Sequence, residues 1–493
     1  MNLLRQIQQS LLRRAFRPLV KDDLREWTGA SLAVASWHVA RELGTHSKAP
    51  NVGVLLPTSG LFPAALLACW QAGRTVVPLN YLLSRSDLEY IVQDAGLDAV
   101  IAVKPMLDHI GGPLPGVKHI MMDELQYKGI PPVRIGPRQP DDWTAVILYT
   151  SGTSGRPKGV MLSAGNLATN IRQVVERAHF GPKDTMYGVL PQFHSFALTV
   201  LTLLPLAQGC RAVYSARFVP GRVLEVMRTQ RPTVFVAIPS MYNALISTRS
   251  GQADDFQSVQ YVVSGSEPLP DKVANAFFAK FGKRINEGYG LTETSPVTNW
   301  CMPQEYRPHS VGPAVPGVEE RIVGPDGTVL PAGQDGEIRI KGGNVMKGYY
   351  NLPELTAQVF DEHGYFKTGD MGRFDADGFL YITGRIKEML IISGENVFPR
   401  EIEEVLNHHP LVKDSAVVGL PDPARGEVPV AFVELHEGAA WDEAAVRAHC
   451  RDALPVYKVP KEFRVLERLP RNGTGKVMRR PLAEQVRAEA AAR

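Results

Sequence analysis

The chain has 493 residues, 44% of them hydrophobic, with 54 Lys and Arg against 51 Asp and Glu. That length supports two or more domains with sizeable cores, and the near balance of charge argues against nucleic acid as a partner. No apolar run approaches the roughly 18–20 residues that span a bilayer, and the four scattered cysteines, Cys69, Cys210, Cys301 and Cys450, read as buried thiols of a reducing compartment rather than a disulfide frame or metal site.

The first 21 residues hold Arg5, Arg13, Arg14, Arg17 and Lys21 and no acid, with Leu4, Ile7 and Leu11 on one helical face and Leu3, Leu12 and Phe16 beside it. Three readings stay open: a helix packed on the body, a membrane-surface helix working through residues 1–20, or an organelle transit peptide. A secretory signal is disfavoured, because no long apolar segment or small-residue cleavage site follows.

From Asn51 to about Glu287 short apolar strands alternate with amphipathic helices. Strands are expected at Val52–Leu56, Arg74–Leu79, Ala99–Val103, Thr233–Ala237 and Tyr261–Val263, with a helix at Leu61–Ala72. Such alternation implies parallel sheets covered by helices, and the length fits two sheets better than one. Within this region Trp143–Leu148 reads as a buried parallel strand. It runs into Thr150, Ser151, Gly152, Thr153, Ser154 and Gly155, then Lys158, with Ser163 placed to cap a following helix. Small residues let backbone come close to an anion, hydroxyls and N–H groups can donate to it, and Lys158 adds charge for outer phosphates. The spacing is not that of a Walker A loop, and a flexible linker is the plain alternative for such a loop taken alone.

Further loops end strands in the same way. Ser264-Gly265-Ser266-Glu267 precedes a helix, at the sheet edge where α/β proteins bind ligands, or serves only as a helix cap. After a strand-like Arg284–Glu287, Gly288 and Gly290 allow a tight turn that would expose Tyr289, Thr292 and Glu293. An aromatic plane can stack on a base and a carboxylate can hold Mg²⁺ already bound to phosphate, but a purely structural turn is equally open.

After about Val311 the texture changes to dense Gly, Pro and Asp with short strands at Glu319–Val323, Gly336–Lys341 and Phe379–Thr383 and a turn at Gly324–Gly327, as in a small antiparallel barrel. Tyr365–Asp370 places an acid after a turn, where it can accept from a ribose diol or cap the turn; Arg385 can donate to the same sugar or be a solvated linker charge. Beyond Arg385 an α+β unit of about 100 residues is expected, with strands at Met389–Ile392, Ser415–Gly419 and Val428–Leu435 and helices at Pro399–Asn407 and Trp441–Ala453. Arg471–Val477 carries Lys476 on a glycine-rich loop, and the Ala/Glu/Arg tail after Leu482 reads as a fraying helix.

Five of these motifs occur in a fixed order, and through them the chain resembles the adenylate-forming superfamily of acyl-CoA synthetases, luciferases and adenylation domains. The motifs are the Tyr149–Lys158 loop, Gly288–Glu293, Thr368–Asp370, Gly384–Lys387 and Asn472–Lys476, within a match from about Arg25 to Arg480. The resemblance implies an α/β fold, two α/β subdomains with parallel-rich sheets plus a small β-barrel, followed by a mobile α+β C-terminal domain. It divides the chain into a basic helix (1–21), an AMP-binding domain (22–384), a hinge (385–388), a lid (389–480) and a tail (481–493). The implied chemistry has two halves: a carboxylate attacks the α-phosphorus of ATP to give acyl-AMP and pyrophosphate, then a thiol takes the acyl group and AMP leaves. Glu293 would hold Mg²⁺ and Lys476 would bridge the reacting charges. Thr292 would supply a hydroxyl, and Thr150, Ser151 and Lys158 would steady pyrophosphate. Gly265, Ser266, Glu267, Tyr289 and Gly290 would frame adenine, Asp370 and Arg385 would hold ribose, and Lys387 would be the hinge. Ser393 and Gly394 resemble the stretch that approaches pantetheine, of coenzyme A or of an acyl carrier protein.

Pro191–Ala197 separates branches of the resemblance. Phe193-His194 stands where amino-acid-activating domains usually carry Asp, which disfavours an amino acid substrate. His194 would line the acyl pocket, or is a structural residue at a helix start. Gly290–Val297 is similar to fatty acyl-CoA synthetases, so a medium- or long-chain fatty acid with coenzyme A is the leading expectation; acyl-carrier-protein synthetases and aryl-CoA ligases are the alternatives. A non-catalytic sensor on this fold would be expected to lack Lys476, Glu293 or Asp370, and all three are present. The expected setting is the cytoplasm, with peripheral membrane contact through residues 1–20.

Overall fold

The computed structural model describes residues 2–151, 156–471 and 477–491. The chain divides into two compact units, one of Met1–Leu269, Ala276–Glu320 and Ile340–Phe366, the other of Pro270–Asn275, Arg321–Arg339 and Lys367–Arg493. It is an α/β protein with parallel-rich sheets, as expected.

The first unit contains two sheets. The larger has eight strands, in the order Val297–Trp300, Asn286–Gly290, Tyr261–Ser264, Val234–Ala237, Thr185–Gly188, Arg211–Tyr214, Pro18–Lys21 and Glu26–Thr28. Its inner pairs are parallel and its two outermost pairs antiparallel. The Val234–Ala237 strand is buried on both faces, as a strand under helices must be. The other sheet has seven strands, with Thr75–Pro78 at its centre between Thr144–Ser151 and Asn51–Leu55.

Here the sequence reading needs a correction. The strand from Thr144 runs to Ser151 and pairs antiparallel with a second strand, Pro157–Ser163, before any helix starts. The helix Ala164–Ala178 therefore begins one strand later than expected. Ser163 does cap it: its hydroxyl accepts from the Asn166 N–H at 3.0 Å, and the Asn166 side chain returns the bond to the Ser163 N–H at 2.9 Å.

The N-terminal helix Leu3–Arg13 is packing material for this unit. Leu3, Leu4, Ile7 and Leu11 are buried in the main core, and Arg5 and Gln8 donate to the carbonyls of Gly136 and Ile135. Its apolar face is thus used internally; Leu12 and Phe16 are left 74% and 92% exposed. No helix among the described residues is long and apolar enough to cross a membrane, and all four cysteines are buried and free.

In the second unit Phe366–Phe374 pairs antiparallel with Leu380–Arg385, and the Gly324–Gly327 turn closes a Val323–Val329 bridge. The C-terminal sheet is built on a long hairpin, Val412–Asp422 with Gly426–Leu435, extended by Leu390–Ile392, Glu395–Val397 and a parallel strand Glu462–Leu466. The tail is not a fraying end: Arg479–Ala491 is a helix whose Leu482 and Val486 are buried against Val418, Val430 and Phe432.

Candidate active site

In the first unit Glu293 and Lys158 meet. Glu293 lies in a 3-10 turn, Thr292–Thr294, placed by the preceding strand. Lys158 lies on the returning strand of the phosphate-loop hairpin, where Thr150 pairs with Lys158 and Tyr149 with Gly159. The Lys158 ammonium is 3.8 Å from Glu293 Oε1, with the Glu293 side chain 12% exposed. Tyr349, which the sequence reading overlooked, joins them: its hydroxyl donates to Glu293 Oε1 at 2.8 Å and its ring centroid lies 3.8 Å from the Lys158 ammonium. Burial, and then the Glu293 charge, push the Tyr349 phenol well above the usual range, so it remains a donor. Thr292 Oγ1 and Ser195 Oγ stand 3.4 Å apart beside this turn. The expected turn at Gly288–Gly290 is instead strand. Gly290 has no room for a side chain, because a Cβ there would collide with the Pro296 carbonyl.

A cleft adjoins these loops. One wall carries Tyr289, Gly288, Gly290, Gly265 and Ser266; the remainder is formed by Ser195, Phe196, Val200, Val174, Val234, Val236, Val263, Pro296, Val297, Asn299, Phe180 and Trp300. No charged side chain lines it among the described residues. Ser266 holds a left-handed backbone, φ +70°, just past its strand. Glu267 precedes Leu269, whose N–H donates to Glu287 at 3.4 Å.

His194 stands at a helix start, where the Leu198 N–H donates to its carbonyl at 2.8 Å. The segment Ala197–Leu203 is a π-helix, a form that recurs at functional sites, and it brings Phe196 and Val200 to the cleft while Leu198 and Leu201 enter the core. The His194 Nε2 is buried without a hydrogen-bond partner, and desolvation lowers the ring pKa to about 4. At neutral pH it is therefore an uncharged imidazole.

The second unit brings Asp370 and Arg385 together across adjacent strands. They are register partners, and Arg385 Nε donates to Asp370 Oδ1 at 2.9 Å. Asp370 is 3% exposed, whereas the Arg385 side chain is 41% exposed. Asp370 lies within the strand, and Gly369 before it takes φ +70°. Lys387 is exposed on a short 3-10 turn, Ile386–Glu388. Ser393 and Gly394, with φ +54° and +86°, are the two-residue tip of a hairpin, both positive as a type I′ turn requires. Gly152, Thr153, Ser154, Gly155 and Lys476, and the side chain of Ser151, lie outside the described residues. The Lys476 loop is flanked by an Arg471–Val477 bridge, and Arg479 makes a two-point ion pair with Glu403.

The chain matches the AMP-binding enzyme family over residues 7–350 and the AMP-binding enzyme C-terminal domain over residues 401–476. It is 38% identical to the sulfoacetate–CoA ligase of Cupriavidus necator over 87% of this chain and 86% of that one. It is 34% identical to the feruloyl-CoA synthase of an Amycolatopsis species over 87% of each, and 32% identical to the long-chain-fatty-acid–CoA ligase of Bacillus subtilis over 89% and 86%. Among solved structures it is similar to ATP-bound MatB from Rhodopseudomonas palustris, with 31% identity, TM-score 0.88 and coverage of 99% and 100%. It is likewise similar to the anthranilate CoA ligase AuaEII in complex with anthranoyl-AMP, with 27% identity, TM-score 0.90 and coverage of 100% and 98%. The chain belongs to the AMP-binding enzyme family. It is an AMP-forming acid–thiol ligase that activates a carboxylic acid as acyl-AMP and works with ATP, Mg²⁺ and coenzyme A.

Proposed function

We propose that the acid is apolar: a medium- or long-chain fatty acid, joined to coenzyme A. One observation carries this reading, the cleft wall of valines and aromatics without a charged side chain. Burying such an acid would gain roughly 25 cal/mol per Å² of apolar surface, and a sulfonate or ammonium would lose its hydration there with no counter-charge. An aryl acid is the second reading, favoured by the stacked Phe180 and Trp300 rings, 5.9 Å apart, in that wall.

In this reading the acid's carboxylate oxygen forms a bond to the α-phosphorus while the bond to the β-phosphate oxygen breaks and pyrophosphate leaves. Mutual repulsion of carboxylate and polyphosphate is the main barrier. Lys158, with Thr150 and Ser151, would steady the departing pyrophosphate, and Lys476 would offset charge at the α-phosphate. Glu293 would hold Mg²⁺, which when bound would neutralise phosphate charge. The residues fit such an ion: Glu293 offers hard oxygen, and Thr292 and Ser195 add hydroxyls. Tyr289, with Gly265, Ser266, Glu267 and Gly290, offers a flat wall for adenine, and Asp370 with Arg385 offers an acceptor and a donor for ribose. The neutral His194 orients the carboxylate by a hydrogen bond rather than a charge. In the second half the thiol sulfur bonds to the acyl carbon and the bond to AMP breaks, with Lys387 as hinge and the Ser393–Gly394 tip beside the pantetheine arm. An acyl carrier protein presenting the same arm is the alternative acceptor.

ATP–pyrophosphate exchange across fatty, aryl, sulfonated and amino acids, followed by AMP release with coenzyme A or carrier protein, tests the reading. Fatty acids should lead; exchange confined to sulfonated acids would overturn it. The exposed Leu12 and Phe16 among Arg13, Arg14 and Arg17 support a peripheral lipid contact. Phe16→Glu should lower partition onto anionic vesicles, and unchanged partition would remove that contact.

A further inference from the structure

We propose that Tyr349 is a positioning residue that sets both the metal-facing carboxylate and the phosphate-facing cation of this site. The inference rests on the reading of Glu293 as the Mg²⁺ holder. Three groups are in mutual contact: the Tyr349 hydroxyl on Glu293 Oε1 at 2.8 Å, the Lys158 ammonium over the Tyr349 ring at 3.8 Å, and Lys158 to the same Oε1 at 3.8 Å. Tyr349 is 3% exposed, so this arrangement is built rather than incidental.

The backbone explains why Tyr349 can serve both partners. Gly348 and Tyr349 pair with Met161 and Val160 of the strand that carries Lys158, and the Tyr350 N–H donates to the Gly159 carbonyl at 2.7 Å. Two residues earlier the Lys347 N–H donates to Met161, and the Met346 N–H donates to the Glu293 carbonyl at 2.8 Å. Asn344 Nδ2 donates to the Thr294 carbonyl at 2.9 Å. One short segment is thus stitched to the Lys158 strand and to the Glu293 turn, and the tyrosine projects from it.

The chemistry follows from what a phenol can and cannot do. Its single O–H donates to one carboxylate oxygen and so fixes the orientation of the carboxylate. Its ring face attracts the ammonium without neutralising it, so Lys158 is held nearby yet can be released to a polyphosphate. At 3.8 Å the direct Lys158–Glu293 contact is long for a charge-assisted bond, so neither group is locked to the other.

The test is Mn²⁺ binding in the presence of ATP, followed by electron paramagnetic resonance, with folding checked by thermal denaturation. Tyr349→Phe keeps the ring and should weaken Mn²⁺ binding roughly tenfold, the loss of one bond to a charged group. Glu293→Gln should weaken it at least as much, and adding Tyr349→Phe to Glu293→Gln should change nothing more. A Tyr349→Phe titration matching the parent chain, or multiplicative losses in the double variant, would overturn the proposal. Glu293→Gln binding Mn²⁺ normally would instead fail the underlying metal reading. Tyr349→Leu, which also removes the ring, should raise the KM for pyrophosphate in ATP synthesis several-fold above that of Tyr349→Phe; equal values would overturn the Lys158 half.

Discussion

Each unit holds an acid beside a base, and the two pairs are built differently. Asp370 and Arg385 face each other in strand register with a direct 2.9 Å bond, the acid buried and the base largely in water. Glu293, on a 3-10 turn, and Lys158, on a strand, stand 3.8 Å apart and share a phenol. A pair fixed by backbone register suits a ligand whose hydroxyls can replace one contact at a time, as a ribose does. A pair held apart by a third group suits partners that must separate, one toward a metal and the other toward pyrophosphate. A third acid, Glu320, accepts a hydrogen bond from the neutral Asn299 amide at 2.9 Å, and there burial raises the carboxyl pKa to about 7.

The largest effect should come from the looser pair. Glu293→Gln should cut ATP–pyrophosphate exchange by about 10²–10³-fold, the range for removing one preorganised electrostatic group; a loss under tenfold would place the metal elsewhere. Asp370→Asn should act more mildly, raising the KM for ATP roughly tenfold or more through weakened charge-assisted bonds, with the KM for the acid little changed. Stability should barely move, because the half-exposed Arg385 can turn to water. An unchanged KM for ATP would dissolve the contrast.

The smallest effects concern pH. The Glu320 pKa is raised by folding, so its stabilisation is complete below about pH 4.5 and is lost as pH rises toward 7. Glu320→Gln should therefore stabilise the protein at pH 8 by about 1–2 kcal/mol and do little at pH 4. The His194 pKa is lowered by folding, so its contribution is complete above about pH 6.5 and is lost as pH falls toward 4. His194→Gln should flatten that acid limb by about 2–3 kcal/mol at most. Denaturant melts across pH 4–8 read both slopes, and parallel curves for parent and variants would contradict the burial argument.

Sequence periodicity carried the elements far and the contacts less far. Apolar runs such as Val234–Ala237 and the Ser163 cap declare themselves locally. The hairpin after Thr144 did not, because a hydroxyl-rich loop looks the same whether a strand or a helix follows. The π-helix at Ala197–Leu203 has no local signature, since a shift from i→i−4 to i→i−5 bonding leaves composition untouched. The tail's Leu482 and Val486 have the spacing of a packed helix, but the surrounding Ala, Glu and Arg disguised it. Glu293 and Asp370 were found through ordered motifs, whereas Tyr349 and Glu320 stand in unremarkable surroundings and acquire meaning only from partners distant in the chain.

The central claim is that the first unit's pair handles the metal and the second unit's pair handles the sugar. Pyrophosphate exchange measured across a full Mg²⁺ titration at several fixed ATP concentrations, for Glu293→Gln and Asp370→Asn side by side, tests it most directly. Glu293→Gln should shift the Mg²⁺ requirement upward and leave residual activity that no amount of ATP restores. Asp370→Asn should keep the parent Mg²⁺ midpoint and recover as ATP is raised. If both variants move the same parameter, the two pairs do not divide the nucleotide between them.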